Sequence, residues 1–478
     1  MIARQLARLA KHSAIYGLGA VVSRLIGLFL LPVVTRYLPR QDLGAVDTLV
    51  ALSVVLVILL RAGISIAFFR FYFDAEDERG RVTVVRTSFW FTTTTATAGL
   101  LLGLVFAGQI SQALFSTHSR ADLVRAAFVL LWAQMNYEQL TSLFRVEERS
   151  VAYVAATLAN VLITVGATIL LVVVWHKGAL GVLIGNFTGT LVVYFVLLAY
   201  RRFQLGLEFD RPLFREMQRF GLPFVPSGLA LWAIDFLDRF FLLKLKGAAA
   251  VGLYSVGVRV STAILLLLIA LRTAWPAFAY SIKDDSEARR TYGFVLTYVL
   301  YAACWLSLSL SLLAPWIVRL LTVPTYYAGS RVVPLLVFGG TAFIAYNVMT
   351  IGTGRAKQTQ FNWLVTGLGA VVNVGLNFAL IPPYGMMGAA VATLAAYVVM
   401  FLGITVRSQQ VFRVPYQWRR IALVVATAVG LTVLGKALRV PLGGALALAA
   451  VYPLILLPLG FYLPVELRRL RAIVTTAR

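Results

Sequence analysis

The chain has 478 residues, of which 60% are hydrophobic, and its mean hydropathy is +0.85. A soluble protein of this size would have to hide far too much apolar surface, so the composition predicts an integral membrane protein. The formal net charge is +24, but the basic residues punctuate apolar runs, which is typical of membrane topology and argues against a nucleic-acid partner. The single cysteine, Cys304, excludes an intramolecular disulfide framework and a thiolate metal cluster.

The apolar runs predict an all-α protein with about fourteen transmembrane helices, since one span needs about 20 mostly apolar residues. The predicted spans are 13–37, 43–69, 88–111, 123–144, 151–175, 179–200, 221–245, 250–278, 291–318, 331–353, 361–381, 386–406, 419–437 and 443–463. All connections are short, which leaves no room for a separate soluble domain and places the function within the bilayer.

Lysine and arginine in the loops predict the orientation. One side carries 27 of them and the other side 10, while the remaining 6 fall within spans. The side with more positive charge is normally cytoplasmic. We therefore expect a multi-pass protein of a bacterial or archaeal cytoplasmic (inner) membrane, with both termini in the cytoplasm.

An internal repeat predicts two lobes. The turn Gly178–Gly181 precedes span six, and the similar turn Gly385–Gly388 precedes span twelve; Gly44 and Gly252 likewise begin corresponding spans two and eight. We expect an N-lobe at 1–200, a C-lobe at 201–406, and two additional helices with a tail at 407–478. Two six-helix repeats around a central cavity are the usual architecture of secondary transporters.

Prolines fall at corresponding places in the first span of each predicted lobe, and they are Pro32, Pro223 and Pro226. Proline interrupts the backbone hydrogen bonds of a helix and allows bending. These residues are candidate hinges, although a static kink accounts for them equally well.

Four arginines within the spans are the main candidate site residues, and they are Arg24, Arg61, Arg259 and Arg272. An ionised side chain at membrane depth is costly and usually faces a wet cavity. Guanidinium stays charged and offers a planar fork of donors that suits phosphate, so the four predict a site for a pyrophosphate. Snorkelling to a membrane face or an internal ion pair is the alternative for each.

Acids within the spans are candidates for gating, ion pairing or coupling, and they are Asp47, Glu138, Asp235 and Asp238. Asp47 is a candidate partner for Arg36. Asp235 and Arg239 are four residues apart and share one helix face, whereas Asp238 is expected to point elsewhere, toward an arginine of the other half. Glu138 is a candidate cation or proton site. No metal-ligand spacing and no catalytic motif is found, so neither a metal, a cofactor nor an enzyme is expected.

Two runs carry a resemblance to a known family. The segment 17–50 resembles the opening of the polysaccharide-transporter (Wzx-like) flippases, and 220–260 does so with FGLPFVPS, the pair Asp238-Arg239 and GLYSVGVRV in family order. The same superfamily contains lipid II flippases and multidrug and toxin extrusion transporters. Ser23-Arg24, Asp47 and Arg61 match the order of charged positions in the lipid II flippases, and Asp238 and Arg259 match charged positions further on.

Where the lipid II flippases usually carry more arginines in the first span, this chain has Leu28 and Phe29, which favours the oligosaccharide branch. The resemblance implies flipping of an undecaprenyl-diphosphate-linked oligosaccharide from the inner to the outer leaflet by alternating access. It also implies a lateral portal between spans one and eight, and extra helices that cradle the lipid tail. The repeat unit would belong to an O-antigen, a capsule or an exopolysaccharide.

Several alternatives stay open. A lipid II flippase and a cation-coupled multidrug exporter belong to the same superfamily, and the exporter would depend on Asp47 or Glu138 instead of the arginines. A membrane polymerase or ligase would need a sizeable polar loop outside the membrane.

The expected partners are the lipid-linked oligosaccharide, membrane lipids and a polysaccharide polymerase or chain-length regulator, and the protein is expected to be a monomer. A coupling ion, Na⁺ or H⁺, is neither indicated nor excluded.

Overall fold

A computed structural model describes residues 30–201, 205–358 and 361–464. Every regular element within these ranges is a helix. Backbone groups in a bilayer cannot bond to water, and a helix satisfies them within one segment, so long apolar runs fold this way. The all-α class predicted from the sequence is confirmed.

The first half of the described chain consists of long apolar helices and shorter ones. In chain order they are α1 (Leu31–Tyr37), α2 (Arg40–Arg61), α3 (Ile64–Asp74), α4 (Glu78–Val105), α5 (Ala107–Phe115), α6 (Ala121–Val146), α7 (Ser150–Ile169, continued by a π-helical turn at Leu170–Val174), α8 (Gly178–Arg201), α9 (Arg211–Gly221) and α10 (Val225–Lys246).

The second half begins with a helix that carries one of the candidate arginines. Its helices are α11 (Ala248–Ser261), α12 (Leu265–Ser281), α13 (Asp285–Leu321), α14 (Val333–Arg355), α15 (Asn362–Tyr384), α16 (Met386–Val411), α17 (Trp418–Ala437) and α18 (Leu442–Ile455).

Eleven segments of the described chain are long and apolar enough to cross a membrane. They correspond to eleven of the fourteen predicted spans. Of the other three, 13–37 lies mostly outside the described residues, 123–144 falls on the more polar helix α6, and 443–463 falls on the shorter helix α18. The multi-pass architecture is confirmed, and the count of fourteen stays a prediction.

The chain divides into two compact units. Unit 1 contains the described residues up to Val256 together with Leu321–Gly329 and Thr366–Ala396, and unit 2 contains the remainder. The core of unit 1 includes Phe68, Leu140 and Met217. Unit 2 has one core around Tyr292 and Met349 and another around Cys304 and Tyr452. The predicted lobes, 1–200 and 201–406, are defined by the sequence repeat and not by contacts, so these two units do not test them and the lobes stay a prediction.

The glycines that begin α2 and α11 allow two backbones in unit 1 to touch. A Cβ at Gly44 would lie 1.9 Å from the carbonyl oxygen of Ala248, and a Cβ at Gly252 would lie 2.1 Å from that of Arg40. No side chain fits at either place. The two glycines that the repeat pairs in sequence therefore mark one close helix contact.

The two GxxG turns have the same local conformation. Gly178 and Gly385 both have a φ of +54°, in the left-handed region that favours glycine. The second glycine of each turn lies against the backbone of the preceding helix: a Cβ at Gly181 would come within 3.2 Å of Leu171, and one at Gly388 within 2.3 Å of Leu380. This local equivalence supports the internal repeat.

The predicted continuous span 43–69 is wrong, because the helix breaks after Arg61. Ala62 and Gly63 have φ values of 45° and 79°, which end α2 and begin α3. Gly63 lies against Gly221 of the break between α9 and α10, where an added Cβ on Gly63 would be 2.1 Å from the Gly221 carbonyl oxygen. Two helix interruptions are thus packed together in unit 1.

Candidate functional site

Arg61 stands at the C-terminal end of α2, where the helix dipole favours a cation. Its Nη1 donates to Oε2 of Glu138 on α6 at 2.6 Å, and its Nη2 donates to the Met135 carbonyl at 3.0 Å. The Gln134 amide donates to the second Glu138 oxygen. The two residues predicted separately as a substrate ligand and a coupling site therefore form one ion pair within unit 1.

Two cavities in unit 1 meet at this ion pair. The first, of about 380 Å³, has a mixed polar and apolar lining that includes Arg61, Glu138 and Arg145. The second, of about 530 Å³, is mainly apolar, and it shares Gln134, Glu138, Asn160 and Val161 with the first. The Glu138 side chain is 41% exposed, so its carboxylate is accessible from these cavities although it is paired.

Asp238 and Arg239 form a buried network on α10. Asp238 is 1% exposed and Arg239 is 6% exposed. Arg239 Nη1 donates to Asp238 Oδ1 at 3.1 Å, and the Tyr254 hydroxyl donates to Asp238 Oδ2. The guanidinium also lies over the rings of Phe236 and Tyr254. The expectation that Asp238 points away from Arg239 is wrong in this conformation, because adjacent side chains reach each other inside the unit.

The remaining predicted pairs differ from expectation. Arg239 contacts the backbone carbonyl of Asp235, so the i,i+4 relation is satisfied through the main chain. Asp47 and Asp235 both lie within electrostatic range of Arg239. Arg36 is exposed at the end of α1 and is in no ion pair with Asp47 in the described part of the chain.

Arg259 and Arg272 lie in unit 2, on α11 and α12. The Arg259 side chain is half-buried, and Arg272 is exposed. Arg272 Nε donates to Oδ1 of Asn347 at 3.0 Å, and its guanidinium carbon lies 5.5 Å from the centre of the Phe343 ring. Among the described residues, these contacts of Arg272 are with neutral groups. Arg24, the fourth predicted ligand, lies outside the described residues.

The predicted hinge prolines all occur at helix starts. Pro32 lies in the first turn of α1, Pro223 lies in a 3₁₀ turn between α9 and α10, and Pro226 lies in the first turn of α10. A proline there costs no backbone hydrogen bond, because the first N–H groups of a helix are unpaired. Pro223 and Pro226 mark a real interruption of the helix, and movement about it stays a prediction.

Sequence reasoning missed a pair of buried amides on α15. Asn373 and Asn377 are fully buried, and Asn377 Nδ2 donates to Asn373 Oδ1 at 2.8 Å. The other amide atoms of the pair have no hydrogen-bond partner among the described residues. The i,i+4 spacing of two amides in an apolar span is the signal that could have found them.

Solved structures with this fold are membrane transporters. The lipid II flippase MurJ in an inward closed conformation matches with a TM-score of 0.73 and 13% identity, covering 92% of this chain and 97% of that one. An inward-facing multidrug resistance MATE family transporter of the MOP superfamily matches with a TM-score of 0.64 and 15% identity, covering 84% and 95%. At these identities the likeness shows the fold.

A relative in sequence is the uncharacterized membrane protein MJ1068 of Methanocaldococcus jannaschii, which is 25% identical over 203 residues. The alignment spans 41% of this chain and 39% of that protein. The family model described as polysaccharide biosynthesis protein matches residues 9–282, which is more than half of the 478 residues. The chain therefore belongs to the polysaccharide biosynthesis protein family.

Proposed function

We propose that this protein is a flippase that moves an undecaprenyl-diphosphate-linked oligosaccharide from the inner to the outer leaflet by alternating access. The observation that carries the proposal is the family match over residues 9–282 in a chain with the fold of a lipid II flippase. A polysaccharide biosynthesis protein with many membrane spans, and with short loops between the helices of its described residues, fits the movement of a lipid-linked precursor better than its synthesis.

The diphosphate is proposed to bind to Arg24, Arg61, Arg259 and Arg272. Arg272 supports this role because it is exposed, lies over an aromatic ring and contacts an amide instead of a carboxylate. Arg61 is paired with Glu138, so a diphosphate would have to compete with that carboxylate. Arg61 is therefore proposed to engage the substrate only after its ion pair opens.

The membrane potential supports transport in the proposed direction. An inside-negative potential favours outward movement of negative charge by about 2.3 kcal/mol per charge per 100 mV. Two substrate charges would be driven outward without a coupling ion, so none is part of the proposal. The proposed partners are the lipid-linked oligosaccharide, membrane lipids and a polysaccharide polymerase or chain-length regulator, and the protein is proposed to act as a monomer.

Binding of undecaprenyl-diphosphate glycans to the purified protein tests the proposal. We expect Arg259→Ala and Arg272→Ala each to weaken binding by about tenfold or more, since a hydrogen bond to a charged group contributes roughly 1.5–3 kcal/mol. Arg125→Ala is the matched control, because Arg125 is exposed and its partner is Asp122 three residues away. Equal affinities in all four proteins would contradict the arginine site.

A cation-coupled multidrug exporter is the second candidate, and one observation favours it. The Glu138 side chain is 41% exposed and lines a cavity of about 380 Å³ in unit 1, where a cation or proton would reach it. An exporter should lose transport on Glu138→Gln or Asp47→Asn and keep it on Arg272→Ala. Transport of an undecaprenyl-diphosphate glycan that depends on the arginines would exclude this candidate.

A lipid II flippase is distinguished from the proposed function by comparing the binding of lipid II with that of other diphosphate-linked glycans.

A further inference from the structure

A cleft at one end of unit 2, which we call the basic cleft, has a strongly basic lining. It has a volume of about 860 Å³ and lies where the start of α13, the end of α16 and the start of α17 meet. Three arginines line it, Arg289, Arg290 and Arg413, and no acidic residue is among the described residues of its lining. Its loops belong to the side that the distribution of positive charge predicts to be cytoplasmic.

Two nearby acids, Asp284 and Asp285, are engaged elsewhere and do not neutralise the positive charge of the cleft. Asp284 accepts hydrogen bonds from the Ser286 hydroxyl and the Glu287 backbone N–H, which lower the pKa of its carboxyl and make it the N-cap of α13. Asp285 accepts from Arg355 at 2.7 Å. Glu287, on the first turn of the helix, is not among the lining residues.

The backbone segment that carries Arg413 is fixed by its neighbours. Gln409 clamps the backbone of Val414 by donating to its carbonyl at 2.7 Å and accepting from its N–H at 3.1 Å. Gly293 allows the Pro415 carbonyl to approach so closely that an added Cβ would lie 2.9 Å from it. A segment fixed in this way loses little freedom when Arg413 binds a ligand, which favours affinity.

Contacts with neighbouring residues orient the Arg289 side chain. The Arg289 guanidinium carbon lies 4.7 Å from the centre of the Phe412 ring, and Nη1 donates to the Arg413 carbonyl at 3.2 Å. Arg290 and Arg413 are less constrained, and Arg413 is exposed. One oriented guanidinium beside two freer ones is suited to a phosphate group, which accepts several charge-assisted hydrogen bonds at once.

The surface next to the cleft is apolar and faces outward from the unit. Leu402 and Val406 are 54% and 59% exposed, and they share the face of α16 that carries Gln409. Trp418, at the cleft itself, is 44% exposed. Tryptophan is enriched at the level of lipid headgroups, so the cleft would lie at that level with hydrocarbon contacts beside it.

We propose that the basic cleft binds the phosphate of an anionic phospholipid of the cytoplasmic leaflet, with an acyl chain along Leu402 and Val406. A free phosphorylated solute shares the phosphate chemistry but gains nothing from the exposed apolar stripe. This lipid is distinct from the transported substrate, and the inference stands whether or not the protein is a flippase.

Native mass spectrometry of the purified full-length protein in detergent tests the proposal, with phosphatidylglycerol and phosphatidylcholine titrated separately. We expect a tight phosphatidylglycerol adduct that phosphatidylcholine does not form. Arg290→Gln combined with Arg413→Gln should weaken it about thirtyfold, on the basis of about 1 kcal/mol for each basic residue near anionic lipid. The control, Arg211→Gln combined with Arg215→Gln, removes two arginines of α9 in unit 1 and should keep the adduct.

Several outcomes overturn the proposal. They are an adduct that persists in the Arg290→Gln, Arg413→Gln protein, an adduct that is lost equally in the control, and equal binding of the two lipids. Displacement of phosphatidylglycerol by millimolar glycerol 1-phosphate would identify a soluble phosphate as the ligand. An unaltered thermal unfolding curve establishes that the variant is folded. The conservative Arg290→Lys, Arg413→Lys protein should recover most of the binding, because it keeps the charge.

Discussion

At the residue scale, the charges inside unit 1 are mostly neutralised by one another. Arg61 is paired with Glu138, and Arg239 is paired with Asp238. Removing one partner of such a pair leaves a charge that is costly away from water. These pairs therefore link the stability of unit 1 to the residues that we propose for substrate binding and coupling.

The Arg61–Glu138 pair can be measured by a double-mutant cycle. Glu138→Gln and Arg61→Gln should each destabilise the protein by about 1–3 kcal/mol, since each leaves a partly buried polar partner less well satisfied. The double variant should be more stable than the sum of the single effects predicts, by about 1 kcal/mol or more. Unfolding in detergent measures the free energy of unfolding of the wild-type protein and of the three variants. Strict additivity would contradict a direct interaction.

At the element scale, two breaks between helices are the candidate positions for bending. Ala62 and Gly63 interrupt the second predicted span, and Gly221 and Pro223 lie at the start of the seventh, between α9 and α10. The two interruptions are in backbone contact. Hinges in transporters are a few residues at helix ends that absorb changes in φ and ψ. We therefore expect any bending of α2 against α3, or of α9 against α10, to occur at this contact.

A glycine substitution tests the contact between the breaks. Gly63→Ala introduces a Cβ at a φ of +79° and 2.1 Å from the Gly221 carbonyl oxygen, and it should cost about 1–3 kcal/mol or more of stability. Gly430→Ala is the control, because nothing lies within 4 Å of its added Cβ inside α17. It should stabilise by about 0.5–1 kcal/mol. Similar unfolding temperatures for the two variants would contradict the tight contact.

At the scale of the whole molecule, the predicted orientation rests on positive charge and is open to a direct test. Cys304 is buried, so an introduced cysteine at an exposed loop should dominate labelling by a membrane-impermeant maleimide. In intact cells Ser119→Cys should be labelled and Glu76→Cys should not, because their loops are predicted to face outside and cytoplasm respectively. Inverted membrane vesicles should give the opposite result. The same labelling of both variants from one side would overturn the orientation.

Features that depend on local physics can be predicted from the amino-acid sequence. Apolar runs of about 20 residues predict helices because the bilayer leaves the backbone no other partner, and eleven of these runs are helices that fit a membrane. The glycines of the GxxG turns predict matching turns because a left-handed φ of +54° is favourable only for such a residue. The charged candidates inside the spans are also visible, since each is exceptional in an apolar stretch.

Which of these charged residues contact one another depends on how the helices pack. Arg61 and Glu138 are 77 residues apart, and their contact depends on the rotation and height of two helices. The sequence predicts that Asp238 points away from Arg239. In the packed unit, Asp238 instead accepts hydrogen bonds from both Arg239 and Tyr254. The packing of the break after Arg61 against Gly221 is likewise visible only in the folded structure. The hydropathy of the sequence predicts the length of each helix. The rotation of a helix about its axis depends on side-chain packing against its neighbours, which no local sequence pattern contains.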